Sequence, residues 1–591
     1  MATAKRLYLY SVSATGLGMA LFGAIAMLHL LLNRAGLGPQ NYSNSGFGST
    51  ADRDLLSIAI AAGVVGLVLW LIHWAIAERM VKAPGDAAAA ERASIVRAVF
   101  FAGAMFILLF AAATLAVSQL SDSIANVLNA RLSYSFAIID DSWSVATVIV
   151  LFGIWAYHAW IRARDVRQGT PINGAAAWVS RFYLYGIAFA GLLSVLGALS
   201  SVITTIAGEI AFPNTATTSN LYGIYNLQPS SSSAPDWVRP VVAAIVGIVI
   251  WGAVWLSHWL YSNRLRKDQG VPSDRAIAER ASRVRLAFLM IVVLWSVSSI
   301  AAGVASGMGT LFATALGMKT GTIPLWYSVA VPPLAALPAV ATWWLHRRRA
   351  LSETPVGPAG VSARRISSYV TAWVGLGLIM DGLVVGLSTV FGRWLPGGST
   401  GSTYSGSDDI WKYTLGISFG FLIAGLIFWI WPWFSSQRRR NVAGSDEIGS
   451  SSRSYYLYAV IGSMVIGGAF SLAEILYLYL RLGFGLSVPD LASTISMPLA
   501  LLITSALLLG YHALVMRGDA RGPRPPQGIE VATLPFAPMP PYFGAAAAAP
   551  AAPEQPAVPE APAVPEAPAV SEAPAVPEAP AAPSEPTPPT A

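Results

Sequence analysis

Five histidines recur at one place in a repeating pattern, and one aspartate sits where a charge is costly. His73, His158, His258 and His346 close apolar runs that read "WLIHWAIAER" from Trp70, "WAYHAWIRAR" from Trp155, "WLSHWLYSNR" from Trp255 and "WWLHRRR" from Trp343, and His512 holds the same place in the last run. Imidazoles held at one depth can pair across helices as haem ligands or assemble a metal site. A bland reading competes. Tryptophan three residues ahead of a histidine shares its helix face, aromatic rings gather at membrane interfaces, and Arg follows each motif. Trp70, His73, Trp155, His158, Trp255, His258, Trp343, His346 and His512 therefore read as interface anchors, with no cofactor or metal expected. Asp381, in "GLGLIMDGLVVG", is the one acid near the middle of an apolar run. Ionisable residues at that depth are functional candidates. Gly377 and Gly382 flank it, so it is expected to face neighbouring helices.

Other chemistry is excluded by residue type. The 591 residues include no cysteine, which removes disulfides, thiolate metal sites and thiol nucleophiles. No HExxH, GxSxG or phosphate-loop pattern stands in a supporting context. Basic residues are dealt out in small groups rather than gathered on a face, which argues against nucleic-acid binding.

The elements that must position these residues are transmembrane helices. The chain is 55% hydrophobic and only 11% charged, with mean hydropathy +0.57, and a run of about 20 apolar residues spans a bilayer as a helix. Twelve spans follow, roughly 7–32, 55–77, 95–118, 142–161, 182–207, 238–261, 285–308, 323–345, 366–391, 411–433, 454–479 and 492–515. Of the 37 Lys and Arg, 29 fall at the two termini and alternate loops and 8 in the other loops. By the positive-inside rule both termini are cytoplasmic, and the expected location is the bacterial cell membrane. Asp140, Asp141, Asp408 and Asp409 mark external helix starts, where acids suit the helix dipole. Gly375, Gly382 and Gly386 align on one side of the ninth span and predict close helix packing.

The spans repeat. Odd ones open with "RLYLY" at Arg6, "RFYLY" at Arg181 and "YYLY" at Tyr455, while the third and seventh open with "ERASIVR" at Glu91 and "ERASRVR" at Glu279. The histidine position recurs at 73, 158, 258, 346, 432 (Pro432) and 512. A two-helix unit returns the chain to its starting side, so six hairpins repeat in parallel rather than by inversion. Arg6 and Arg34, Arg365 and Arg393, and Arg453 and Arg481 are each 28 residues apart. That is about 42 Å of helix, which predicts guanidiniums in opposite headgroup layers.

Tyr-Leu-Tyr entering one helix, with Trp-x-x-His-Trp and Arg leaving its partner, resembles the bacterial integral-membrane domain of unknown function DUF5671, in two or three tandem four-helix copies over residues 5–520. Trp431-Pro432-Trp433 departs from the motif, and the twelfth span lacks its tryptophan. The family has no assigned activity, so the resemblance implies no catalytic residue.

The fold expected is all-α and integral to the membrane, with three four-helix units at 1–165, 166–350 and 351–520. Residues 521–591 form a disordered Pro/Ala/Glu-rich tail in which "APAVPE"-like hexads place Glu560, Glu566, Glu572 and Glu578 on one polyproline face. Partners expected are the lipid bilayer, other membrane proteins and a protein docking on that tail. A packing or interaction scaffold without enzymatic activity is the leading reading. A proton-coupled transporter or channel using Asp381 is the rival, and a haem- or quinone-handling protein the weaker one.

Overall fold

The computed structural model describes residues 2–36, 50–130, 141–169, 174–212, 237–266, 273–319, 323–353, 358–395, 410–441, 446–488 and 490–521. The tail, the segment around Ser231, and Asp140, Asp408 and Asp409 lie outside them. Regular structure among the described residues is all helical. Grouped four spans at a time, as the sequence repeat groups them, the first set, called the first unit below, contains α1 (Ala2–Arg34), α2 (Thr50–Val81), a short α3 (Asp86–Arg92), α4 (Ile95–Ala130) and α5 (Ser142–Arg167). The second contains α6 (Ala175–Ala211), α7 (Val238–Arg266), a short α8 (Asp274–Arg280), α9 (Arg283–Ala315), α10 (Leu325–Ala335) and α11 (Leu337–Glu353). The third contains α12 (Pro358–Trp394), α13 (Ile410–Arg440), α14 (Ser451–Gly483) and α15 (Leu491–Arg521). Among the described residues twelve spans are long and apolar enough to cross a membrane, α10 and α11 together making the eighth. Hydrocarbon offers the backbone no hydrogen-bond partner, so each run must satisfy itself as a helix. This is a multi-pass membrane protein. The end at which α1 begins is called proximal below, and the opposite end distal.

Two features of the chain path differ from the sequence expectation. "ERAS" does not open the third and seventh spans. Glu91 and Glu279 close the separate short helices α3 and α8, and the long helices start after Ser94 and Ser282. Ser282 makes that restart by accepting a hydrogen bond from the Arg285 backbone N–H, the usual work of an N-cap serine. The eighth span is also broken. Pro332 and Pro333 supply no N–H, and the Ala336 N–H reaches back only three residues, to the Pro333 carbonyl at 3.2 Å. The displaced Pro332 carbonyl lies against Gly303 of α9, where a Cβ would come within 2.7 Å of it.

Each unit has its own aromatic core near the proximal end. Tyr10, Trp70, Trp74, Phe100 and Phe101 pack together in the first. Tyr185 and Phe288 anchor the second, and Tyr369, Trp433 and Tyr456 the third. Asp141 caps α5, accepting from the Trp143 N–H at 2.9 Å. The glycine face of α12 packs as expected, because Gly375 and Gly382 admit the backbone of α13. A Cβ at Gly382 would meet the Ser418 carbonyl at 2.8 Å, whereas Gly377 has nothing within 4 Å. Gly382→Leu should therefore lower the thermal stability of the detergent-solubilised protein, overpacking costing about 1–3 kcal/mol. Gly377→Leu should leave it unchanged. Equal effects at the two positions would contradict this assignment of faces.

Candidate functional site: three buried ionic clasps

One arrangement recurs three times at the proximal end. In the first unit Arg6 of α1 pairs with Glu91 at 2.7 Å, and Tyr10, one turn later, donates to the other Glu91 oxygen at 2.8 Å. Arg97 of α4 donates Nη1 to the Tyr10 hydroxyl at 2.8 Å and Nη2 to Glu78 of α2 at 2.9 Å. Its Nε and Nη2 grip Asp165 of α5 at 3.0 and 2.6 Å. Arg164 pairs with Glu78 at 2.7 Å and with Asp165 at 2.8 Å. Three guanidiniums thus meet three carboxylates.

The same positions do the same work in the other units. Arg181 pairs with Glu279 at 2.8 Å, to which Tyr185 also donates. Arg285 donates to the Tyr185 hydroxyl at 2.8 Å and to Asn263 at 3.0 Å. In the third unit Arg365 pairs with Glu447 at 2.8 Å, and Tyr369 donates to Glu447 at 2.7 Å. Arg453 donates to Ser436 at 3.0 Å, to Gln437 at 3.1 Å and to Asp519 of α15 at 2.6 Å. A tryptophan of each unit's second helix lies under the guanidinium: Trp74 at 5.7 Å, Trp259 at 5.3 Å and Trp433 at 5.6 Å. Glu78, Asn263 and Gln437 each stand four residues past that tryptophan.

These groups are buried. Arg97, Arg285 and Arg453 are 2%, 2% and 1% exposed, and Glu91, Glu279 and Glu447 are 1%, 2% and 0% exposed. The sequence signal was available: Glu-x-x-Ser-x-x-Arg at 91–97, 279–285 and 447–453, with Arg-x-x-x-Tyr at 6–10, 181–185 and 365–369. The same arginines that mark topology by their sign are the ones that carry this pattern. The 28-residue ruler holds as spacing, but its proximal members Arg6, Arg365 and Arg453 face carboxylates rather than headgroups.

The histidines fall into two groups. All five anchor candidates place Nδ1 2.8–2.9 Å from the carbonyl four residues earlier, which makes Nδ1–H the donor and leaves Nε2 an acceptor. In the second helices, Nε2 of His73 accepts from the Tyr8 hydroxyl at 3.2 Å, and that of His258 from Tyr183 at 3.1 Å. In the fourth helices His158, His346 and His512 are buried against Trp74, Trp259 and Trp433. The motif tryptophans Trp70, Trp155, Trp255 and Trp343 are buried or half-buried. Among the described residues no three His, Asp or Glu side chains converge as a metal cage.

Asp381 lies elsewhere than expected. It is exposed, on the face of α12 that carries Trp373 and Gly377, and the buried face carries Leu376, Ile379 and Val384. The two flanking glycines belong to different faces, so they did not define one packed side.

Residues 6–141 and 365–507 match the domain of unknown function DUF5671. The two separate matches are consistent with tandem copies of such a domain. No curated protein and no solved structure matches the chain. The two DUF5671 segments contain the first and third sets of Arg, Tyr, Glu and clasp arginine. Arg181, Tyr185, Glu279 and Arg285 form the same set between them, outside either match. Asp165 and Asp519 lie beyond the matched segments and complete the clasps from the fourth helices.

Removing one partner of a buried ion pair strands the other and costs about 3–5 kcal/mol. Arg97→Met should lower the melting temperature by many degrees, while Arg364→Met, at an exposed neighbour of Arg365, should not. The third clasp also carries a pH dependence. The Arg365 hydrogen bond holds the Asp446 carboxyl below its usual range. Burial raises that of Glu447, but Tyr369, Arg365 and Arg439 outweigh it and hold Glu447 low as well. A carboxyl depressed by folding stabilises fully above its unfolded pKa, about 4.3 for Glu, and the gain is lost as pH falls through the folded value. Thermal stability should therefore fall on acidification below about pH 4, and Glu447→Gln should flatten that slope. An unchanged slope in the variant would remove Glu447 from the cause.

Proposed function

We propose that the protein is a membrane scaffold: a rigid platform of three clasped four-helix units whose role is to hold and present, rather than to catalyse. The clasps carry this reading. They engage the buried side chains at the heart of each unit in internal ion pairs and hydrogen bonds, and in the first and third units the central arginine ties all four helices together. The 29 against 8 distribution of Lys and Arg supports a proximal end in the cytoplasm of a bacterial cell, where the Pro/Ala/Glu-rich tail is available to a partner.

Orientation is tested with single cysteines in a chain that has none. An impermeant thiol reagent on intact cells should label Ser231→Cys and spare Ser451→Cys, and the reverse pattern defeats the orientation. The scaffold is tested at Asp381. Asp381→Asn keeps shape and hydrogen bonding but cannot release a proton, so expression, thermal stability and cellular phenotype should match the parent. A folded Asp381→Asn protein with no function would replace the scaffold by proton-coupled transport.

A further inference from the structure

The three units are joined twice through the third helix of one unit and the second helix of the next: α4 lies against both α6 and α7, and α9 lies mainly against α13. In the first joint, Leu109 and Ala113 of α4 pack with Ile187 and Val195 of α6 and Trp251 of α7. Phe110 and Trp251 lie 5.4 Å apart, and Val117 borders Gly247. In the second, Ala305, Gly309 and Ala313 of α9 meet Gly416 and Gly420 of α13 backbone to backbone. The heights correspond: Val117 and Ala305 both stand 20 residues past the clasp arginine of their helix, and the glycines they border, Gly247 and Gly420, stand 8 and 9 residues before Trp255 and Trp429. Each joint also has a cation from the distal start of the second helix. Arg239 lies 3.8 Å from Asp122, and Lys412 donates to the Gly317 carbonyl at 3.3 Å.

A joint with one sense leaves an open half at each end of the series. The open halves are the third helix of the last unit, α14, and the second helix of the first unit, α2. Of the most apolar stretches of α4 and α9, 44% and 50% is buried, but only 17% of that of α14. For the second helices α7 and α13 the share is 28% each, and for α2 it is 11%. Residue by residue, Ala301 and Ala305 of α9 are fully covered. Their counterparts at the same distances past Arg453, Ala469 and Ala473, are exposed. On α13, Gly416, Gly420 and Ala424 are buried, whereas Ser57, Ala61 and Val65, equally placed before Trp70, are exposed. The polar contact has its parts too. Arg53 stands as far before Trp70 as Lys412 before Trp429, and Gly485 as far past Arg453 as Gly317 past Arg285. Both glycines have positive φ, 75° and 88°.

We infer that the protein self-associates head to tail, α14 of one copy seating on α2 of a second copy through the joint the chain already makes twice internally. Parallel units keep every copy in the same membrane orientation. A heterologous joint of this kind closes into a ring or runs as a row. The association rests on the joint itself and not on the scaffold reading.

The chain has no cysteine, so the joint can be trapped in native membranes. Ala473 and Ala61 correspond to Ala305 and Gly420, which touch. Oxidation of the Ala61→Cys/Ala473→Cys double variant should give a ladder of covalent multimers. Co-expression of the two single variants should give dimers, at several times the yield of either alone. Leu514→Cys, exposed on α15, combined with Ala61→Cys should give none. In parallel, native mass spectrometry of the full chain should show multimers that Ala473→Trp reduces to single copies with an unchanged melting temperature, since this position is exposed in one chain. A double variant that stays monomeric or cross-links within one chain would overturn the proposal. So would single variants that dimerise as readily as the pair, or a wild type found only as single copies.

Discussion

Each unit depends on one buried guanidinium. Moving a charge out of water costs several kcal/mol even after relaxation, and the cost is met only when all its donors are used. Arginine suits this because its planar fork offers five N–H groups in fixed directions and a face that stacks on aromatic rings. Arg97 spends them on Tyr10 of α1, Glu78 of α2 and Asp165 of α5, with Trp74 beneath it. One side chain on the third helix therefore touches every other helix of its unit. Between lipid-solvated helices there is little hydrophobic drive to choose neighbours, so a contact set that only one arrangement can satisfy selects the partners.

The three clasps separate what is constant from what is adjustable. The glutamate, tyrosine and central arginine do not change, and the Arg–Tyr–Glu triangle ties first helix to third in every unit. The second helix contributes through a position that is Glu78, Asn263 or Gln437, and in all three an oxygen accepts from Nη2. Geometry is conserved while charge is not, so the requirement at that position is for an acceptor. Burial explains why the central contacts hold. Asp446, whose side chain is two-thirds exposed, pairs with Arg365 at the rim, where water competes.

Hydropathy made the spans legible, and the Trp-x-x-His cadence made the hairpin repeat legible. Both depend on one-dimensional signals that the bilayer enforces. The clasps were less visible because their members are spread over about eighty to a hundred residues and look like ordinary loop charges. Counting Lys and Arg for topology uses their sign and discards their partners. Asp381 shows a related failure: Gly377 and Gly382 are close in sequence but more than a quarter-turn apart on the helix, and only the packing partner reveals which face each serves. The break at Pro332-Pro333 carried a readable signal, yet the seat that receives it, Gly303, lies on another helix.

The clasp also explains how the joints keep register. A unit offers one half of a joint on its second helix and the other on its third. The arginine of the third helix stacks on the tryptophan of the second and bonds a residue one turn beyond it. The two halves are thus fixed relative to each other by the clasp itself, at the proximal end and at a constant height. A unit with a loose clasp would present its incoming and outgoing faces at a variable angle, and a small error would grow from joint to joint. The side chains of the joints themselves vary freely, aromatic between α4 and α7 and glycine-lined between α9 and α13. What stays constant is the frame that holds them, and a constant frame with variable filling is what a series of parallel units requires.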